Sequence, residues 1–151
     1  MTVEVDPYEA LIKLALSDDG IVDAVDVRVD IWHHYGQDSG DWSLAASSLI
    51  FVPAGGPMNQ DDNVQDIRVE ARCYGDSPYA CNLVWKAVLA WSRNLNERRV
   101  QAVTEGSALI YYVLPLEHPR LFFDEDIRPN GGMPYFAIPI QAKIHGLTVT
   151  T

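Results

Sequence analysis

One short segment of the chain concentrates residue types that could hold a metal ion. His33 and His34 are adjacent, and Asp38 and Asp41 follow closely. Imidazole and carboxylate groups are ordinary ligands of divalent metals. Adjacent residues on a strand point to opposite faces, so both imidazoles could reach one ion only from a loop. A solvated polar loop is the simpler interpretation of this segment, and metal binding is the alternative.

The two cysteines do not have the spacing of a metal site. Cys73 lies on the apolar side of a predicted strand, and Cys81 lies near Val84 and Val88 on a predicted helix. We expect both to be small core side chains. Free thiols of this kind are typical of a reducing cytoplasm.

The sequence shows no complete catalytic motif. The Gly55-Gly56 pair lacks the lysine of a phosphate-binding loop, and no G-x-S-x-G elbow is present. Asp124, Glu125 and Asp126 form an acidic run, but acid–base catalysis by paired carboxyl groups requires burial of one of them. The sequence therefore predicts a protein that is not an enzyme and that needs no cofactor and no metal.

Length and charge narrow the class of protein further. The chain has 151 residues, which predicts a single domain over residues 1–151. Its formal net charge of −10 argues against phosphate-directed nucleic-acid binding and against a basic membrane-surface helix. The acidic start of the chain is unlike a secretory signal, and no apolar run approaches the ~18 residues of a membrane span. We expect a soluble protein made in a cytoplasm, with no membrane partner.

The first half of the chain contains one predicted helix and three predicted strands. Asp6 is placed to cap a helix that has Pro7 in its first position and that ends at residues 17–20. Alternation of apolar and polar residues predicts strands at Val25–Ile31 and Ile67–Tyr74, and a short apolar run predicts another at Leu49–Val52.

The second half adds a helix that Ser77 caps, that has Pro78 in its first position and that runs to about Asn94. It also adds strands at Leu109–Leu116 and Tyr135–His145. Proline cannot donate to a ladder, so Pro139 predicts that the last strand is at an edge or bulged there. Residues 97–106 are ambiguous, and residues 117–133 are expected to form a long connection. The predicted fold is α+β, a mostly antiparallel sheet with two helices packed on one face, in the order α-β-β-β-α-β-β.

The helix from Ser77 to Asn94 has an unusually wide apolar arc. Val84, Val88 and Trp91 are expected to face the sheet. Leu89 lies beside the polar stripe, almost opposite this centre, so Leu89 together with Trp85 is predicted to contact a second subunit or a partner ring. A helix deep within its own domain remains the alternative.

Two further tryptophans are candidate contact residues. Trp32 lies beside polar residues, and Trp42 lies in a predicted loop. Exposed aromatic residues often mark protein contacts, and ordinary loop packing is the alternative for each.

Three stretches carry a resemblance to a known family: DPYEALIKLAL, DIRVEARCYGDSPYACNLVWKAVLAW and MPYFAIPIQAKI. The chain resembles the tail-terminator, or tail-completion, proteins of long-tailed bacteriophages. In that family an N-terminal helix, a central alternating strand, an amphipathic helix directly after it and a final long strand recur.

The resemblance implies a structural virion protein of the tail or neck. Such proteins form a ring, typically a hexamer, which caps the tail tube, ends its polymerisation and forms the joint to the head connector. The implied partners are copies of the chain itself, the tail tube protein and a head-side connector or completion protein. DNA would pass through the ring without specific binding. The alternatives are a head-completion protein of the neck, and a small metal- or ligand-binding enzyme domain that uses His33 and His34.

Overall fold

The chain forms an α+β fold whose strands are mostly antiparallel. The computed structural model describes residues 5–25, 28–31, 47–57, 64–95, 99–125 and 131–147. Within these residues the elements are α1 (Pro7–Leu16), α2 (Asp19–Ala24), β1 (Arg28–Ile31), β2 (Ser48–Pro53), β3 (Val64–Tyr74), α3 (Pro78–Arg93), β4 (Val100–Val103), β5 (Gly106–Pro115), β6 (Arg120–Asp124) and β7 (Met133–Leu147). None of the helices in this described part is long and apolar enough to cross a membrane.

The predicted starts of α1 and α3 are confirmed. Asp6 Oδ1 accepts a hydrogen bond from the backbone N–H of Tyr8 at 2.9 Å. Ser77 Oγ accepts one from the N–H of Ala80 at 3.2 Å. Each cap is followed by a proline in the first turn, where a missing N–H costs nothing.

Helix α2 was not predicted, and it shortens the first predicted strand. Asp18 was expected to lie where the first helix ends, but it also begins a second helix. Its Oδ2 accepts a hydrogen bond of 3.0 Å from the backbone N–H of Ile21 and so caps α2. Val25 ends this helix, and its N–H donates to Ile21 O at 3.0 Å. Residues 21 and 25 are four apart, a helical spacing, and Ile21 is fully buried. Of the predicted strand Val25–Ile31, Val25 belongs to the end of α2, Arg28–Ile31 form β1, and residues 26–27 lie outside the described residues.

Seven strands of the described residues belong to one sheet. Its order is β1-β2-β3-β7-β5-β4, and β6 also pairs with β7. The β1–β2 pair is parallel and all the other pairs are antiparallel. The long strand β7 is thus central, with β3 along one side and with β5 and β6 sharing the other.

The prediction that Pro139 marks an edge or a bulge is wrong, because β7 has neighbours on both sides. The carbonyl of Pro139 accepts from Leu116 N at 2.9 Å, on the side of β5 and β6. The N and C=O of one strand residue point to the same side, so the missing N–H also faces away from β3. On that side β5 pairs only as far as Ile140, and β6 begins at Ala137. The proline occupies the gap between these two strands and leaves the β3 ladder complete.

Strands β4 and β6 lie in segments for which the sequence predicted no strand. The order within the described ranges is therefore α-α-β-β-β-α-β-β-β-β, with three helices there where two were predicted. Strand β4 lies within the ambiguous residues 97–106, and β6 lies within the predicted connection 117–133. Strand β6 has three consecutive apolar residues without alternation, so it lacks the pattern that marks a half-buried strand.

The main core takes side chains from all three helices and from alternate positions of the central strands. On β3 and β7 these positions are Ile67, Val69, Ala71, Cys73, Ile138, Ile140, Ala142 and Ile144. A second, smaller cluster contains Ile50, Tyr74 and Met133. Along their strands these residues occupy the positions that alternate with those of the main core. Alternate strand residues point to opposite faces, so this second cluster lies on the other face of the sheet.

Candidate interaction surface

Helix α3 was predicted to carry both a core stripe and a contact residue, and its core stripe is confirmed. Val84 and Val88 are fully buried, and Trp91 is 2% exposed. The Trp91 ring lies 6.1 Å from the ring of Phe51 on β2. The helix packs against β3, β5 and β7.

The predicted contact residues of α3 have partners within the subunit. Trp85 is 9% exposed and belongs to the main core, and Leu89 is half-buried against the same core. Leu89 was predicted to face water in a single subunit, but it lies partly against the core. Helix α2, which the sequence did not reveal, packs against α3 and adds cover to it. The contact of Leu89 and Trp85 with a second subunit remains a prediction.

The outward surface of α3 carries different apolar residues. Tyr79 is 70% exposed and Leu83 is 44% exposed. At 100° per residue Leu83 lies on the side opposite Trp85, next to the exposed Lys86. This position follows from the sequence alone, because it depends only on the 100° spacing of helix residues.

The other predicted candidates lie outside the described residues. These are Trp32 and Trp42, together with the possible ligands His33, His34, Asp38 and Asp41. Among the residues that are described, no group of three or more histidine, cysteine or carboxylate side chains could hold a metal ion.

Strand β6 is the most exposed apolar element that sequence reasoning missed. Leu121, Phe122 and Phe123 are 44%, 42% and 54% exposed. The strand pairs antiparallel with the start of β7, where Phe122 is opposite Tyr135. Since large apolar side chains lie consecutively, the strand exposes them on both of its faces.

An aromatic row crosses three strands on the face of the second cluster. The ring of Phe122 on β6 stacks on Tyr135 of β7 with centroids 5.5 Å apart. Tyr135 in turn lies 4.9 Å from Tyr74 of β3. The Arg72 guanidinium lies over the Tyr135 ring, 5.1 Å from its centroid. This row, Tyr74–Tyr135–Phe122, fixes the orientation of the exposed Phe122 ring.

Charged groups hold the aromatic row in place. Arg72 Nε donates to Glu70 Oε2 at 2.7 Å, and Tyr74 Oη donates to Asp124 Oδ2 at 3.3 Å. Burial disfavours the charged Arg72, but its hydrogen bonds to Glu70 and Tyr74 outweigh this, so its pKa lies above the ordinary value. Burial also raises the pKa of Tyr135, although the Arg72 charge opposes the shift. Both groups keep their ordinary charge at neutral pH.

A groove of about 470 Å³ opens on the sheet where β5 gives way to β6. Its lining includes Pro139, Ala137 and Phe122, together with the charged residues Arg120 and Glu117. Arg120 Nη2 lies 3.9 Å from Glu117 Oε2, and both side chains are well exposed. The described lining has no histidine, cysteine, serine or threonine. The groove therefore combines apolar residues with four charged ones, Arg68, Glu70, Glu117 and Arg120.

The two cysteines are core residues, as the sequence predicted. Both are fully buried, and Cys81 Sγ donates to the carbonyl of Pro134 at 3.2 Å. Burial raises the pKa of Cys73 far above the usual range and that of Cys81 to about 11. Since the thiolate is the reactive form, neither thiol is a nucleophile at neutral pH.

Large apolar side chains are exposed on several elements of the described surface, and two groups of them are used below. We call the first the α3 surface, formed by Tyr79 and Leu83, and the second the β6 edge, formed by Leu121, Phe122 and Phe123. Comparison with known proteins adds no relative to this picture: no protein-family model matches the sequence, and no curated protein matches it.

Proposed function

We propose that this protein is a structural virion subunit that caps a bacteriophage tail tube, ends its polymerisation and joins it to the head-side connector. The observation that carries the proposal is the order of four elements. Helix α1, the alternating strand β3, the helix α3 directly after it and the long final strand β7 occur in this order, with other elements between them. The resemblance implies the same order for tail-terminator proteins.

The distribution of exposed apolar residues supports an assembly role. Contiguous apolar patches larger than a few hundred Å² are rare on monomeric proteins and often mark sites of interaction. A subunit of a ring needs at least two different surfaces, because each copy contacts neighbours on both sides. The α3 surface and the β6 edge lie on different elements, as such a subunit requires.

The charge of the chain also suits this role. A net charge of −10 disfavours binding to nucleic acid, so DNA could pass through a ring of these subunits without being retained. The ring, of typically six copies, would form on the last ring of the tube. Its partners would be the tail tube protein on one side and a connector or completion protein on the other.

A tube-growth assay tests the proposal. The tail tube protein of the same phage is allowed to polymerise with and without the purified chain, and tube lengths are measured by electron microscopy. Added protein should stop growth and give shorter tubes. Tubes that lengthen equally in both samples would contradict the proposal, and binding to portal-bearing heads instead of tubes would favour a head-completion role.

A matched pair of variants makes the assay specific. Leu83→Asp alters the α3 surface, and Val22→Asp alters an equally exposed residue of α2, since these side chains are 44% and 47% exposed. Leu83→Asp should remain folded but lose capping, whereas Val22→Asp should retain it.

A further inference from the structure

Strand β6 has one paired edge and one edge that no other described strand covers. Strand β7 occupies its inner edge through residues 133–137. The backbone N–H and C=O groups along the outer edge of such a strand are a template for pairing with another chain. Proteins commonly protect such edges with charged or bulged residues. Here Leu121, Phe122 and Phe123 occupy the middle of the strand and are each more than two-fifths exposed.

The sequence of β6 is complementary to itself when it is read in the opposite direction. In an antiparallel pair centred on Phe122, Arg120 of one copy lies opposite Asp124 of the other, and Leu121 lies opposite Phe123. Opposite charges and large apolar side chains are the cross-strand pairs that stabilise antiparallel strands. Every side chain of the strand would therefore have a suitable neighbour in one register.

Charge restricts which surfaces of two copies can meet. With a net charge of −10, two copies repel one another unless the contact is locally neutral. Strand β6 carries one positive and one negative residue, and the antiparallel register brings them together twice. Strands β4 and β1 also lie at edges of the described sheet. The sequence of β4, VQAV, contains no charged residue to match Arg120 or Asp124, and that of β1, RVDI, has both charges but is shorter and has no aromatic residue.

The aromatic row gives a second reason for pairing at this edge. Phe122 is already oriented by its stack on Tyr135, which lies against Tyr74. A two-fold axis at Phe122 would continue this row into the second copy and place the two Phe122 rings side by side. An oriented ring loses less conformational entropy on binding than a free one.

We propose that two copies of the free protein pair through β6, antiparallel and centred on Phe122, so that the two sheets become continuous. The contact is isologous and closes on itself, so it does not build a ring. The dimer is a state of the free protein, which must open before the β6 edge can contact a ring neighbour, and it does not depend on the proposed tail function. A five-residue strand buries less than the roughly 1,200 Å² of a standard interface, so the dimer is weak and dissociates on dilution.

Directed disulfide formation tests the register. In the pair, residue 122 is opposite itself, at a Cα separation of about 4.5–5.5 Å that permits a disulfide. Phe122→Cys should therefore form a covalent dimer under mild oxidation, which non-reducing gel electrophoresis detects. The native thiols do not interfere, because Cys73 and Cys81 are buried.

Two further variants control this experiment. Leu121→Cys alone should cross-link poorly, because residue 121 is opposite residue 123, whereas the double variant Leu121→Cys with Phe123→Cys should cross-link well. Equal cross-linking of Leu121→Cys and Phe122→Cys would indicate random collision and overturn the proposal. Absence of a covalent dimer from both Phe122→Cys and the double variant would also overturn it.

Charge reversal tests the pairing without removing an aromatic ring. Arg120→Asp places two acidic residues opposite each other at both ends of the pair, so the dimer dissociation constant, measured by analytical ultracentrifugation, should rise about tenfold. The double variant Arg120→Asp with Asp124→Arg should restore most of the affinity. Because Asp124 also accepts a hydrogen bond from Tyr74, thermal unfolding is measured to verify that the double variant is folded. A wild-type protein that remains monomeric at high concentration, or a folded double variant that is no tighter than Arg120→Asp, contradicts the proposal.

Discussion

Adjacent residues on α3 should respond in opposite ways to the same substitution. Val84 is fully buried in the main core, and Leu83 beside it is 44% exposed. Val84→Asp and Leu83→Asp both introduce a carboxylate into the same helix, so any loss of helix propensity is similar for both. The difference between the free energies of unfolding of the two variants therefore measures the effect of burial.

The expected cost of Val84→Asp is comparable with the whole stability of a domain. Losing a buried valine costs about 2 kcal/mol. Burial raises a carboxyl pKa by about 3 units or more, at about 1.4 kcal/mol per unit, which adds about 4 kcal/mol at neutral pH. The sum of about 6 kcal/mol compares with a typical total of about 5–15 kcal/mol. Leu83→Asp should cost about 1 kcal/mol, because roughly half of a leucine's burial is lost.

Urea unfolding followed by tryptophan fluorescence measures both effects. The carboxyl introduced by Val84→Asp has a raised pKa in the folded state, so its destabilisation is largest at neutral pH and diminishes as pH falls towards about 4. If Leu83→Asp is destabilised as severely as Val84→Asp, the outward surface of α3 is part of the core and the reasoning is refuted. Leu89→Asp should fall between the two, because Leu89 is half-buried.

Three further outcomes follow from the structure. Thiol labelling at neutral pH should be slow in the native protein and fast after unfolding, because burial raises the pKa of both Cys73 and Cys81; rapid native labelling would contradict their placement. Glu9 Oε1 accepts two hydrogen bonds of 2.8 Å from Thr104, one from its hydroxyl and one from its backbone N–H. These bonds lower the pKa of Glu9 below its ordinary 4.5, and Lys13 contributes less to the same shift. Thr104→Val should raise the pKa of Glu9 towards its ordinary value in an NMR titration. The stabilisation by Thr104 should be complete above the pKa of Glu9 in the unfolded chain and should be lost as pH falls through the pKa of Glu9 in the folded protein. Gly75→Ala should destabilise the protein by about 1–3 kcal/mol in thermal unfolding, since a Cβ there would lie 2.7 Å from Ala80 Cβ, whereas an unchanged midpoint would show that the turn can move.

Strong periodicity and capping made part of the fold predictable. Asp6, Ser77 and the prolines after them located the helix starts, and alternation located β3 and β7. The buried state of Cys73, Cys81 and the Val84 stripe followed from the same patterns. Each of these features depends on residues close together in the sequence.

The features that were missed depend on distant parts of the chain. Pro139 fits a central strand because β5 ends and β6 begins beside it, which its own neighbours in sequence do not reveal. Helix α2 packs against α3, and the sequence did not reveal it because it is short and is anchored by one cap and one buried isoleucine. Strand β6 has no alternation, because its side chains are exposed on both faces. The same property that concealed it from the sequence pattern makes it a candidate interaction surface.

The most direct test of the central claim is the position of the protein on assembled tail tubes. Tubes of the cognate tail tube protein are incubated with the chain carrying a gold-binding tag, and the label is located by electron microscopy. The account predicts a ring of label at one end of each tube, with no label along its length and none at the other end. Label that decorates the whole tube, or that is absent from both ends, would contradict the proposed capping function.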